Sequence, residues 1–302
     1  MPLLECVPNF SDGRDMETVD AITAEIESVD GAYLLDRSSD EDHNRSVITF
    51  CGEPEPAGEA AFRAIEKASE LIDMTKHLGG HPRMGATDVC PFVPLRPGDM
   101  QIAVDTARRL GERVGSELGI PVFLYEQAAT TPQRKNLADV RRGQYEELQE
   151  AIGKDPAREP DFGPNRMNLK AGATAIGARQ FLIAYNVNLD TDDLAFAKDI
   201  AKKIREAGGG FPAVKALGID LGELGIVQVS MNLTDYSKTG METVYREIER
   251  IANEHGCEAL ESEVIGLLPR AAFEERFKSD LKLTGFTDSQ IVEVRVKEVI
   301  SG

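Results

Sequence analysis

The chain has no tryptophan, only four histidines and four cysteines, and far fewer basic than acidic residues in its 302 positions. The missing tryptophan excludes nothing by itself. The cysteines, Cys6, Cys51, Cys90 and Cys257, stand far apart and form no C-x-x-C pair. Three lie in apolar, strand-like runs, where a buried free thiol is the expected state, and free thiols point to a reducing, cytoplasmic setting. Lysine and arginine total 34 against 52 aspartates and glutamates, a net charge of −18. That balance argues against nonspecific binding of nucleic acid or an anionic membrane. No apolar run approaches the roughly 20 residues of a membrane span. The first residues lack the basic-then-apolar order of a secretory leader, so none is expected. A soluble enzyme with its few cations gathered round an anionic ligand fits what remains.

A length of 302 residues suits two domains better than one. Leu3 to Val7 reads as a strand closed by Pro8. Asp15 is placed to cap a helix whose buried face is Val19, Ile22, Ile26 and Val29. Strands follow at Ala32 to Asp36 and Val47 to Cys51, separated by the acidic loop RSSDEDHN. Ala61, Ile65, Ala68 and Ile72 mark a second helix, and Val89 to Val93 a fourth strand. This order, strand-helix-strand-strand-helix-strand, is the split βαβ or ferredoxin-like unit. After an elaboration with a helix capped by Asp99 and another around Val140 to Ile152, the order returns. Phe181 to Val187, a helix started by Asp190 or Thr191, Val214 to Ile219 and Ile226 to Leu233 come first. A helix opened by a Thr239 capping box and a strand at Ala259 to Leu267 complete it. The expected fold class is therefore α+β, as two ferredoxin-like (βαββαβ) α/β sandwich subdomains, residues 1–179 and 180–302. The tail at Ile291 to Ile300 has a period that suits helix or strand.

The stretch from Asp73 to Arg96 holds two of the histidines, His77 and His81, in DMTKHLGGHPRMGATDVCPFVPLR. A connection that only joins a helix to a strand needs about 2 to 6 residues, and this one uses roughly twice that. Gly79 and Gly80 stop a helix and permit close backbone approach. Pro82 pushes His81 into an extended conformation. His81 then stands on a rigid turn, as an imidazole suited to proton transfer near neutral pH, beside the anion-binding fork of Arg83. The His77–His81 spacing would suit a metal on a continuous helix, with a third ligand from Asp36, Asp40, Asp42 or Asp88. The glycines and proline oppose that helix, so no metal is expected, and His77 reads better as a histidine at a helix C-terminus. His255 reads as a C-cap. Arg45, at the start of a strand, is a second anion-binding candidate. Asn9 and Asn44, at strand ends, orient a ligand or make local turns.

Longer segments then become recognisable. ECVPNFSDG (5–13), DHNRSV (42–47) and HLGGHPRMGATDVCPFVP (77–94) resemble the glutamate formiminotransferase family. DFGP (161–164), GATAIGAR (172–179), FLIAYNVNL (181–189) and QVSMNLTDY (228–236) extend the resemblance in order from about residue 3 to about residue 270. In animal members this module is fused to a cyclodeaminase, and this chain resembles the stand-alone form. The resemblance implies two α/β subdomains with a substrate groove between them. It also implies transfer of the formimino group of N-formimino-L-glutamate to tetrahydrofolate, in histidine breakdown. Tetrahydrofolate is then the co-substrate, with no metal, and a homodimer is a family-based expectation.

The histidine of HPRMG carries the family's catalytic role onto His81. The carboxylate that assists it in animal members falls here on Ser38, so Asp36, Asp40 and Asp42 are the substitutes, with Asp42 first because it precedes His43-Asn44-Arg45. Asn9, Asn44, Arg45 and Arg83 are assigned to the glutamate moiety. The folate-contacting segments of the family fall on Gly163, Pro164, Lys170 and Gly172, and on Lys215 and Gly218. Folate-dependent formyl transfer on the same site, a non-catalytic folate-binding module and a metal hydrolase are the competing readings.

Overall fold

The computed structural model describes residues 2–96 and 98–301. The chain divides into two compact units, Met1–Arg179 and Gln180–Gly302. In the first, the elements run β1 (Leu4–Cys6), β2 (Asn9–Phe10), α1 (Met16–Glu27), β3 (Ala32–Asp40), β4 (Arg45–Gly52), α2 (Pro54–Leu71) and β5 (Thr87–Pro94). Then come α3 (Met100–Glu117), β6 (Val122–Glu126), α4 (Leu137–Val140), α5 (Gln144–Ala151) and β7 (Thr174–Ala178). β1 and β2 are two pieces of one strand interrupted at Pro8, since both pair antiparallel with β4 and β5. The sheet order is β3-β4-β1/β2-β5-β7-β6, with β5-β7 and β7-β6 parallel.

Counting the interrupted strand once, the first βαββαβ segment has spatial order four-one-three-two, and the elaboration adds two strands beside the fourth. One face of the sheet packs on α1, α2 and α3 through Ile22, Ile26, Phe50, Ile65 and Phe92. A second cluster around Val89, Phe123, Tyr125, Val140 and Leu148 joins β5 to β7 with α4 and α5. Full burial of one such side chain stabilises by about 1.5 to 3 kcal/mol, so these clusters hold the sheet's centre rigid. β5 is buried along its whole length, Asp88 included.

The second unit runs β8 (Ile183–Leu189), α6 (Leu194–Ile204), β9 (Val214–Leu221), β10 (Ile226–Leu233), α7 (Met241–His255) and β11 (Ala259–Ile265), then α8 (Phe277–Asp280) and α9 (Val292–Ser301). Its antiparallel sheet has the order β11-β8-β10-β9, again four-one-three-two. The protein is thus mixed α+β, with two sheets among the described residues. The periodic tail is a helix.

Several local expectations change. β3 runs on to Asp40, past a bulge at Leu35, so the acidic loop shrinks to residues 41–44. Pairing with β4 outweighs the poor strand propensity of Arg37-Ser-Ser-Asp40. The helix around Val140 to Ile152 is two helices, broken where Gly143 takes φ +80°. Asp15 caps α1 as expected, accepting from the Glu17 and Thr18 amides. Asp193, not Asp190 or Thr191, caps α6. Thr239 makes no capping box: Gly240 is the N-cap of α7, and the Thr239 hydroxyl donates to the Pro212 carbonyl at 2.8 Å. Asp99 stands at the α3 N-cap without accepting from the helix.

Candidate active site

Three turns meet at one end of the first sheet and are bound to one another through backbone groups. The His81 amide donates to the His43 carbonyl at 3.4 Å, and the Gly80 amide to the Asp42 carbonyl at 3.4 Å. Asn44, at φ +49°, accepts from the Gly13 amide at 3.1 Å and donates to the Leu78 carbonyl at 3.0 Å. An asparagine tolerates this left-handed conformation better than a branched residue would. Gly79 is required for contact: a Cβ there would stand 2.5 Å from the His43 carbonyl oxygen. Asn44 therefore clamps the NFSDG turn, the acidic loop and the HLGG turn together.

Arg83 and His77 complete the frame. Nε of Arg83 donates to Nδ1 of His77 at 3.1 Å, and Nε2 of His77 donates to the Asn44 carbonyl at 3.2 Å. This arrangement holds His77 neutral, and burial followed by the neighbouring Arg83 charge lowers its pKa despite the Asn44 carbonyl. The Arg83 fork grips Glu146 of α5 at 2.7 and 2.8 Å, and its remaining N–H groups reach Gln144 and the His77 carbonyl. All five donors of the guanidinium are used inside the protein. Arg83 consequently acts as a strut of the turn and turns no free donor toward a ligand. His77 is not at a helix C-terminus either: α2 ends six residues earlier, at Leu71.

His81 stands beyond this frame with 15% of its side chain exposed, and its Nε2 lies 3.6 Å from Oδ2 of Asp88. Asp88 is 1% exposed. Burying a lone carboxylate costs several kcal/mol, so it requires partners. Its Oδ1 accepts from the Met84 amide at 3.0 Å and its Oδ2 from the Arg141 guanidinium. Burial pushes the Asp88 pKa up, but Arg141, His81 and the Met84 amide together outweigh it and hold the carboxyl below its ordinary range. Burial lowers the His81 pKa, and the Arg45 and Arg141 charges add to that, while Asp88 opposes them. His81 is thus a neutral base at pH 7 with a carboxylate ready to receive its positive charge. Arg45 donates to Oδ1 of Asn9 at 3.4 Å. Its own pKa is depressed, by burial first and then by the Arg141 charge. The cluster holds a neutral imidazole, a buried carboxylate and two guanidinium groups, an arrangement able to move a proton beside an anion. Among the described residues, no group of three His, Cys, Asp or Glu is placed to hold a metal ion.

The formiminotransferase domain, N-terminal subdomain, matches residues 3–179, and the formiminotransferase domain matches residues 184–298. The chain belongs to the formiminotransferase family. The glutamate formimidoyltransferase of Thermoplasma acidophilum is 49% identical over 300 residues, covering 99% of this chain and 98% of that protein. That of Streptococcus pyogenes serotype M1 is 46% identical over 292 residues, covering 96% and 97%. The formimidoyltransferase-cyclodeaminase of Mus musculus is 44% identical over 277 residues, covering 89% of this chain and 51% of that protein. The chain is accordingly a transferase.

Of the positions assigned to the site from the sequence, the structure gathers His81, Asn9 and Arg45. Asn44 lies beside them as a clamp. The Asp42 side chain is exposed, and the carboxylate facing His81 is that of Asp88. Asp40 is engaged by His43, whose Nδ1 lies 2.8 Å from Oδ2 of Asp40. Gly163 and Gly172 precede β7, and Gly218 lies on β9. A Cβ at Gly163 would meet the Ile120 carbonyl at 2.6 Å, one at Gly172 the backbone of Met84 and Gly85, and one at Gly218 the Lys198 amide. Protein backbone fills the space beside all three glycines. Lys170 donates to the Glu70 carbonyl, Pro164 is half-buried and Lys215 is exposed on β9. Sequence reasoning weighed Asp88 only as a metal ligand and missed Arg141. The available signal was one aspartate in the otherwise apolar run that became β5.

No helix among the described residues is long and apolar enough to cross a membrane.

Proposed function

We propose that the protein transfers the formimino group of N-formimino-L-glutamate to nitrogen five of tetrahydrofolate, releasing L-glutamate. The observation that carries this reading is the neutral, mostly buried His81 facing Asp88 on a turn rigidified from three sides. The printed activity of the relatives, glutamate formimidoyltransferase, supports it.

The proposed proton movements use His81 and Asp88. Asp88 lies on the Nε2 side, which favours the proton there and leaves Nδ1 as the basic nitrogen. Nitrogen five of the folate attacks the amidine carbon, forming the new C–N bond, and Nδ1 takes its proton. Asp88 stabilises the imidazolium. The same proton then goes to the glutamate nitrogen as its bond to the amidine carbon breaks. One imidazole serves both steps only if donor and acceptor are held about it together. Arg45 and Asn9 hold the glutamate part, while Lys170, Lys215 and the segments around Gly163, Pro164, Gly172 and Gly218 are assigned to folate. The protein works as a cytoplasmic enzyme of one-carbon metabolism, needs no metal and acts on small molecules, as a homodimer.

A metal-free assay with tetrahydrofolate and N-formimino-L-glutamate, run beside N-formyl-L-glutamate, tests the reading. Turnover with the formimino donor is expected. Turnover with the formyl donor alone would move the protein to formyl transfer, and silence with both would leave a binding module.

A further inference from the structure

Two buried guanidinium nitrogens at the His81 cluster have no acceptor: Nε of Arg45 and Nε of Arg141. A buried N–H without a partner is costly, so two on neighbouring guanidinium groups call for an explanation. Arg141 is brought there by the short α4 helix and is 17% exposed. Arg45 enters from the start of β4. The two guanidinium groups repel one another, and Asp88 compensates only one of the two charges. Asp40 also attracts Arg45, but its carboxylate is already bonded to the His43 ring and amide. The charges that act on His81 are those of Arg45, Arg141 and Asp88, two positive and one negative, beside unused, water-shielded donors.

We infer that Arg45 and Arg141 form a two-arginine site for one substrate carboxylate, which accepts from their inward N–H groups and anchors the reacting group beside His81. This inference rests on the formimino-transfer reading and extends it to Arg141. A carboxylate balances the residual charge, and its two oxygens match two separate guanidinium donors. Both substrates carry such a group: the glutamate moiety of the donor and the glutamyl tail of the folate. Adjacency to the histidine favours the donor, whose carboxylates lie only a few bonds from the amidine carbon.

The test is calorimetric titration of the full-length protein with L-glutamate, glutarate and tetrahydrofolate, for wild type, Arg141→Gln, Asp88→Asn and the double variant Arg141→Gln/Asp88→Asn. The double variant removes both charges of the buried pair and keeps the test meaningful if Arg141→Gln alone does not fold. Loss of one charge-assisted carboxylate contact should weaken binding by about tenfold or more. Arg141→Gln and the double variant are expected to lose at least that much affinity for L-glutamate and glutarate, with tetrahydrofolate affinity within about twofold. Asp88→Asn removes the competing anion and leaves both arginines, so it should bind glutarate at least as tightly as wild type. Loss confined to tetrahydrofolate would support the carboxylate site with the folate tail as its occupant. Unchanged binding of all three ligands to folded Arg141 variants would overturn it and leave Arg141 as a positioning partner of Asp88. Because glutarate binding needs no turnover, the result stands apart from whether the formimino donor reacts.

Discussion

Nε2 of His81 stands 3.6 Å from Oδ2 of Asp88, and the same oxygen accepts from Arg141. The imidazole therefore shares its counter-ion with a permanent cation. In the resting protein Arg141 takes the hydrogen bond, and His81 stays neutral. When His81 takes a proton, Asp88 is already ionised and already desolvated. Little reorganisation is then needed at the moment of transfer.

Removal of the base should stop the chemistry without undoing the fold. His81→Ala is expected to lower kcat by a factor of about 10² to 10⁴, the usual range for a general acid–base residue. Folate affinity should change little. Single-turnover kinetics beside a folate binding titration would check this, and near-normal turnover would remove His81 from the mechanism.

The acidic limb of the rate profile should report His81. Its pKa lies below the ordinary value of about 6.5, so activity should persist under that pH and fall only as His81 protonates. Asp88→Asn removes a group that raises the His81 pKa, so the limb should move further down. The same change leaves Arg141 without its buried partner. Breaking a buried pair costs about 3 to 5 kcal/mol, and the partial exposure of Arg141 places the loss near the lower end. A limb that moves upward in Asp88→Asn would contradict the pairing.

Stability should also depend on pH through His77. Its folded pKa is depressed, while the unfolded chain takes its proton near pH 6.5. Below that pH the unfolded state binds more protons than the native state, so stability present above about pH 6.5 is lost as pH falls toward the native value. His81 contributes with the same sign. Urea unfolding at successive pH values should show this slope, and His77→Gln should flatten it.

Arg83 should matter more for folding than for recognition. Its Glu146 partner is 61% exposed, so that pair alone contributes roughly 0 to 1 kcal/mol. The bonds to His77 are buried, and loss of their donor costs about 1 to 3 kcal/mol. Arg83→Met is expected to lower the unfolding midpoint while Glu146→Gln barely moves it. A large rise in the donor KM at unchanged stability would return Arg83 to substrate binding.

Gly172→Ala should be costly for a steric reason. Gly172 has φ +75°, and a Cβ would press on the backbone of Met84 and Gly85, two and three residues past Pro82. Neither backbone can give way cheaply. Unfolding free energy should fall by more than the roughly 1 kcal/mol of an open left-handed site, and chemical denaturation would measure it.

Much of the site was legible because its causes are local. Gly79, Gly80 and Pro82 specify a stiff turn within a few residues, and a histidine held on such a turn stands out from residue types and spacing alone. Apolar periodicity and turn residues likewise showed the two βαββαβ orders, since each side chain's face follows from a period of two or 3.6. The same reasoning failed for Thr239 and for the Arg37 to Asp40 segment. There a distant carbonyl, that of Pro212, and a neighbouring strand, β4, outweighed local preference.

Local sequence was enough to place His81, the proposed base, on a glycine- and proline-shaped turn, in a chain of α+β order matching the formiminotransferase family. The partners of that histidine came from long-range packing. Asp88 and Arg141 are 53 residues apart, and nothing in either neighbourhood encodes their meeting. Their pairing follows from β5 lying inside the sheet and from the insertion between β6 and β7 folding its short helices against it. A carboxylate buried there must find a cation, and the cation it finds belongs to another element. For Arg83 packing had the opposite effect. Its sequence position beside His81 suggested a ligand, but the frame around His77 and Glu146 uses every donor it has.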